Sequence, residues 1–242
     1  MLMLGGAAAG SRLRQALPEH HLNNDAKDIV RLGTGLVATI SALVLGLLIN
    51  SASNSYEAQR NEVRQMAANI ILLDQLVERY GPEARPIRQF LRGGIEPLIV
   101  QVWGELSAPG NLAIATTPSS NASHAYMALH ELAPQNDAQR SIKVQALQTA
   151  TDIQRSRLML FERSRAAIPG AFLAILISWL TMIFVSFSLF TPLNPTSIVA
   201  LLLIALSAAS AIFLILEMGQ PFEGLMQISN QALRTALNPL TP

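Results

Sequence analysis

No residue between Ala166 and Leu216 carries a charge. That run most constrains what this chain can fold into. It divides at TPLNP, where Pro192 and Pro195 flank Asn194 and signal a turn. The halves are Pro169–Phe190 and Thr196–Leu216. As helices each spans about 31–33 Å at ~1.5 Å per residue, close to a hydrocarbon core of roughly 30 Å. Pro169 suits a first helical turn, where its missing N–H costs little. A buried soluble hairpin of this length would need a large protein around it, and too little chain remains. The run is therefore predicted to form a transmembrane helical hairpin.

An earlier span, LGTGLVATISALVLGLLI from Leu32 to Ile49, covers roughly 27 Å and has polar residues at both ends. Half of the residues are hydrophobic, and 14% are charged against about 25% in soluble domains. The deficit is concentrated in these blocks, so the apolar residues serve lipid. A net charge of +1 leaves no basic footprint, which argues against nucleic acid as a partner. The lack of cysteine removes disulfides and thiol chemistry. The segment Met1 to Ser11 is apolar but too short to cross, and its arginines, Arg12 and Arg14, follow it rather than lead it as in a signal peptide. It reads as the end of a membrane helix whose beginning is missing.

Twelve of the seventeen Lys and Arg residues lie in the polar stretch from Ser51 to Arg165. Within it Val63, Met66, Ile70, Leu73, Val77 and Tyr80 follow heptad spacing, with Ala67, Ile71 and Leu76 widening the face. This face is expected to contact other helices. Asn54 and Glu57 could cap a new helix here, or the membrane helix could continue into it. Gly81-Pro82 ends the segment. A second helix is expected from Pro86, interrupted by Gly93-Gly94 and Pro97. GELSAPGNLAIATTPSSNAS, Gly104 to Ser123, reads as a loop, and a last helix is expected from about Pro134 to Arg165. The fold expected is all-α: an integral membrane protein with transmembrane helices and a helical extramembrane domain. Its divisions are 1–31, a truncated helix and polar segment; 32–50, a transmembrane helix; 51–165, the helical domain; 166–216, the hairpin; and 217–242, a tail.

Arg60, Arg64, Arg155, Arg157, Arg163 and Arg165 flank the membrane on the polar-domain side, against Arg12, Arg14, Lys27 and Arg31 opposite. That balance places the domain in the cytoplasm and the chain in the inner (plasma) membrane as a multi-pass protein. Apart from their ends the spans hold no ionisable residue, unlike proton-coupled or charged-substrate transporters. Gly35, Thr39, Ala42, Gly46 and Asn50 recur on one face of the first span, beside Ala38. They form either a close-packing stripe or the wall of a narrow pore. Ser207, Ser210, Leu214 and Glu217 share a face of the last span. Glu217 is either a boundary residue or part of an acidic ring at a pore mouth. His20, His21, His124 and His130 have no metal-ligand spacing. Asp74 either pairs with an arginine of a neighbouring helix, with Arg155 and Arg157 among the candidates, or faces solvent. No catalytic motif occurs, so no enzyme, cofactor or metal is expected.

Three blocks carry a resemblance: DIVRLGTGLVATISALVLGLLINSA, YEAQRNEVRQMAANIILLDQLVERYGPEARPIR and ILEMGQPFEGLMQIS. In this order they resemble the bacterial bestrophin-like domain family, membrane proteins of unassigned function, across about residues 18 to 235. Members usually begin with a full transmembrane helix before PEHH, so the resemblance implies a shortened chain. It also implies a remote relation to bestrophins, anion channels built as rings of helical subunits. Bestrophins clasp calcium with an acidic run after the last membrane helix. Here only Glu217 and Glu223 stand there, with MGQPF between, so calcium gating is not implied. The function expected is an oligomeric ion channel or channel-like protein, with the lipid bilayer, further copies of itself and inorganic ions as partners. The alternative is a non-conducting assembly or signalling protein that binds a partner through its heptad face.

Overall fold

The computed structural model describes residues 24–105, 120–165, 170–190 and 194–237, with the isolated positions 5 and 12. The expectations for Met1 to Ser11, for His20 and His21, and for most of the Gly104–Ser123 segment lie outside these residues. The described secondary structure is helical: α1 (Asn24–Tyr80), a 3₁₀ turn (Pro82–Ala84), α2 (Arg85–Val100), a π turn (Gln101–Glu105), α3 (Ser120–Glu131), α4 (Asp137–Arg165), α5 (Gly170–Phe190), α6 (Pro195–Met218) and α7 (Gln231–Leu237). Two compact units share the chain, one formed by Met1–Asn54 with Ile168–Gly219, the other by Ser55–Ala167 with Gln220–Pro242.

The first unit holds the long apolar helices. Among the described residues three helices are long and apolar enough to cross a membrane: α1, α5 and α6. α5 starts beside the expected Pro169, and α6 starts at Pro195 with its N–H-less residue in the first turn. Phe184 and Ala205 are buried between α5 and α6, with Leu180, Leu201, Ala208 and Ile212 packed around them. Most large side chains of the spans stay open, Leu32, Leu36, Leu43 and Leu47 among them. Lipid or other chains must cover that surface.

α1 runs unbroken through Asn54 and Glu57. The cap reading is therefore replaced by the continuous one. The junction contains no Gly or Pro, and Glu57 instead pairs with Arg60 at 2.9 Å, a helical i,i+3 pair. In the second unit the whole heptad seam is buried. Val63, Met66 and Ile70 pack against Ile95, Ile99, Leu160, Phe222 and Leu233. Leu73, Val77 and Tyr80 pack against Ile87, Ala125, Leu129 and Ala146. The C-terminal segment completes this core. Trp103 donates its indole N–H to the carbonyl of Ile228 at 2.8 Å and meets the Phe222 ring edge-on at 5.6 Å. Gly81, at a φ of 127° that other residues resist, turns the chain out of α1. The Gln139 side-chain amide caps the freed Tyr80 carbonyl at 3.0 Å.

Two local expectations are corrected. α2 is not interrupted at Gly93-Gly94 and Pro97; it runs from Arg85 to Val100 with Pro97 inside. Proline removes the N–H that would bond the Gly93 carbonyl four residues back. The Asn121 amide replaces it, donating to that carbonyl at 2.7 Å. A Cβ on Gly93 would lie 2.8 Å from the Asn121 amide nitrogen, so the glycine is what lets α3 approach. The end of the expected loop, Ser120 to Ser123, is the first turn of α3. Helix propensity there is poor, but Ala125 and Leu129 are buried on the face toward α2, and tertiary packing overrides propensity. Asn121→Ala should cost about 0.5–1 kcal/mol, the net worth of an exposed hydrogen bond whose carbonyl turns to water. Pro97→Ala restores the helical N–H, so Asn121→Ala should cost less in that background. Additive losses in a thermal-unfolding cycle would break this link.

Candidate pore-facing surface

The candidate residues occupy two helices of the first unit. On α1, Gly35, Thr39, Ala42, Gly46 and Asn50 are all exposed. At 3.6 residues per turn they form one strip, with the leucine ridge of Leu32, Leu36, Leu43 and Leu47 along one side. Ser41 lies on the opposite side of the helix and is buried. A Cβ added at Gly35 or Gly46 would meet no atom within 4 Å. The strip therefore does not pack against this chain's own described helices. Thr39 donates its hydroxyl to the Gly35 carbonyl at 3.0 Å, which satisfies its proton and leaves oxygen lone pairs facing outward. Gly35 and Ala38 also border a crevice of about 770 Å³ with Lys27, Arg31, Phe187 and Phe190.

On α6, Ser207, Ser210 and Leu214 are exposed along one face. Ser210 donates to the Ser207 carbonyl at 2.7 Å. Glu217 sits in the last turn, half-buried, with interactions inside the protein. The helix closes there, as the N–H of Gly219 reaches the Ile215 and Leu216 carbonyls at 3.1 and 3.2 Å. A carboxylate at this end opposes the helix dipole by about 0.3–1 kcal/mol. Helix stability therefore does not explain Glu217.

Other polar candidates have defined places in the second unit. Asp74 is 1% exposed, so the solvated reading falls. Its partner is Arg88 of α2, not Arg155 or Arg157. The Arg88 Nε donates to Oδ1 at 2.6 Å and Nη2 to Oδ2 at 3.0 Å. The sequence held a signal for this pairing, since Asp74 and Arg88 stand equidistant from the Gly81 turn and must face each other in a helical hairpin. Arg157, counted above with the flanking cations, is 4% exposed and packs over the Phe161 ring at 5.9 Å. His124 lies 5.5 Å from the Phe90 ring and His130 4.8 Å from the Tyr126 ring.

Apolar spans joined to a helical unit of this kind define a helical integral membrane protein. The Bestrophin-like domain model matches residues 1–233, and the chain belongs to that family. The fold agrees. The crystal structure of a bacterial bestrophin homologue from Klebsiella pneumoniae, a single-substitution variant, is similar with a TM-score of 0.69 at 16% identity, over 99% of this chain and 96% of that one. A second variant of that homologue gives 0.66 at 16% identity, over 86% of this chain and 85% of that one. A crystal structure described only as a membrane protein gives 0.68 at 16% identity, over 99% and 96%. At such identity the likeness is one of fold. No curated protein matches the chain.

Proposed function

We propose that this protein assembles with copies of itself into an ion channel or channel-like pore in the inner (plasma) membrane, with the heptad-bearing unit in the cytoplasm. One observation carries the reading. The strip of Gly35, Thr39, Ala42, Gly46 and Asn50 is open along the span, and among the described residues a Cβ added at Gly35 or Gly46 would meet no atom within 4 Å. Small residues and outward oxygens gain little from lipid tails, whereas they suit either close helix approach between subunits or a narrow wet path. The bestrophin fold supports the same reading by analogy of architecture. A partner-binding role for the heptad face loses its support, because the chain's own α2, α3, α4 and tail fill that face.

The test is reconstitution into planar bilayers with ion gradients. Discrete currents whose reversal potential follows the gradient are expected. Gly46→Leu places its side chain in space that is open within one chain, so folding should be unchanged. Conduction should fall below detection, either with the oligomer intact, if the strip lines the path, or with the oligomer lost, if it packs subunits together. Full conduction in this variant, or silence of the unaltered protein under every ionic condition, overturns the proposal. In the same recordings Glu217→Gln should weaken cation preference if the carboxylate rings the mouth, and leave currents unaltered if it only marks the membrane edge.

A further inference from the structure

In the first unit, the crevice of about 770 Å³ lies between the N-terminal end of α1 and the end of α5. Lys27, Arg31, Thr34 and Ala38 line its α1 side, and Phe187 and Phe190 its α5 side. The α1 positions recur at steps of four, three and four residues, so they share one face of the helix. That face is turned about a quarter of a revolution from the strip that begins at Gly35. From Lys27 to Ala38 the groove runs about 16 Å at ~1.5 Å per residue, about half of a roughly 30 Å hydrocarbon core. Both cations precede Leu32, the first residue of the apolar span. The crevice is thus cationic where the span begins and largely apolar through the depth of one leaflet.

We propose that this crevice seats an anionic phospholipid, with its phosphate between Lys27 and Arg31 and one acyl chain along Thr34, Ala38 and Phe187. Among the described residues neither cation enters an ion pair, and both are exposed. Four residues apart on one helix, they reach a single phosphate together, the arginine with a planar fork and the lysine as a point charge. Asp28 also borders the crevice. With it the two cations leave one net positive charge, and its carboxylate accepts a hydroxyl from a headgroup such as glycerol. That combination favours phosphatidylglycerol over phosphatidylcholine, whose headgroup has no net charge and no proton to donate. Deeper in, Phe187 is 43% exposed. Ser186 gives its proton to the Met182 carbonyl at 3.0 Å, so the wall there demands no polar partner. The volume lies within the roughly 300–1,000 Å³ of ligand clefts. A soluble phosphate would occupy the cationic end and leave the apolar walls uncovered, whereas a phospholipid matches both.

The proposal does not depend on the pore reading, and its test uses no conductance. The whole protein in detergent is titrated with phosphatidylglycerol or with phosphatidylcholine of the same acyl chains, and bound lipid is counted by native mass spectrometry. Binding that saturates at one phosphatidylglycerol per chain is expected. Its affinity should exceed that for phosphatidylcholine about tenfold or more, since two basic residues act on one headgroup. Lys27→Gln with Arg31→Gln alters exposed side chains only, so folding should be unchanged, and phosphatidylglycerol should fall to the affinity of phosphatidylcholine. Thr34→Phe keeps both cations but fills the groove, and should weaken both lipids about tenfold or more. Glycerol phosphate at about 10 mM should leave the bound lipid in place, because it lacks the acyl chain. Equal affinity for the two lipids, binding that never saturates, or unchanged phosphatidylglycerol binding in either variant would overturn the assignment. So would displacement by glycerol phosphate, which would make this a site for soluble phosphates.

Discussion

Ile70→Asp should unfold the second unit, or nearly so. Ile70 is 3% exposed and lies where the two clusters of the buried seam meet, packed with Met66, Ile95, Ile99 and Leu160. Two losses add. Removing the apolar side chain forfeits about 1.5–3 kcal/mol of burial. Placing a carboxylate there costs several kcal/mol more, unless it takes up a proton. A domain stabilised by about 5–15 kcal/mol keeps little after that. The expected thermal midpoint in detergent falls by about 10 °C or more. Leu72→Asp, on the same helix but 46% exposed, controls for the charge itself and should leave that midpoint within a few degrees. Matching melting curves for Ile70→Asp and the unaltered protein would mean that the seam is not the core.

The same seam shows what made parts of this fold readable. Val63, Met66, Ile70, Leu73, Val77 and Tyr80 recur at helical spacing, and a periodic apolar face has to be covered. The spans were readable for a similar reason, since length and lack of charge leave few alternatives to a membrane. α3 was not readable. Serines and asparagine open it, and its two buried residues, Ala125 and Leu129, are too few to set a period. α2 misled because Gly93 and Pro97 punctuate chains locally, while the amide that repairs the break, from Asn121, lies far along the sequence. Arg157 misled because a formal charge near a membrane end counts as a flanking cation whether or not it is buried. The candidate strip on α1 was legible as small residues at helical spacing. What covers it was not, because small residues at helical spacing suit close packing against a helix and a pore wall alike.

Arg88→Met should be the most costly single change at a polar position. The Asp74 carboxylate is almost wholly buried beneath Arg88, which stays 30% exposed in its side chain. The pairing is two-pronged, and Glu78 adds a weaker attraction at 3.8 Å. The hydrogen bond to Asp74, more than the charges around it, holds the Arg88 pKa above its ordinary value, against a smaller opposing effect of burial. The sign follows from linkage. A cation whose folded pKa is raised stabilises fully below its unfolded pKa and loses that contribution only as pH rises through the folded value. For an arginine both lie far above neutrality, so its share should be flat between pH 5 and 9. Without the guanidinium, Asp74 is left buried beside apolar neighbours, at a cost of about 3–5 kcal/mol. Asp74→Leu with Arg88→Met removes both charges, and such exchanges range from neutral to stabilising by about 1–4 kcal/mol. The double variant should therefore melt well above Arg88→Met alone. A double variant no more stable than the single one would mean that the pair acts as a geometric clasp across the Gly81 turn, with its fork setting how α1 and α2 meet. Full recovery would mean that the pair costs the fold as much as it contributes, and that apolar packing around Leu73, Val77 and Ile87 is enough to hold the hairpin.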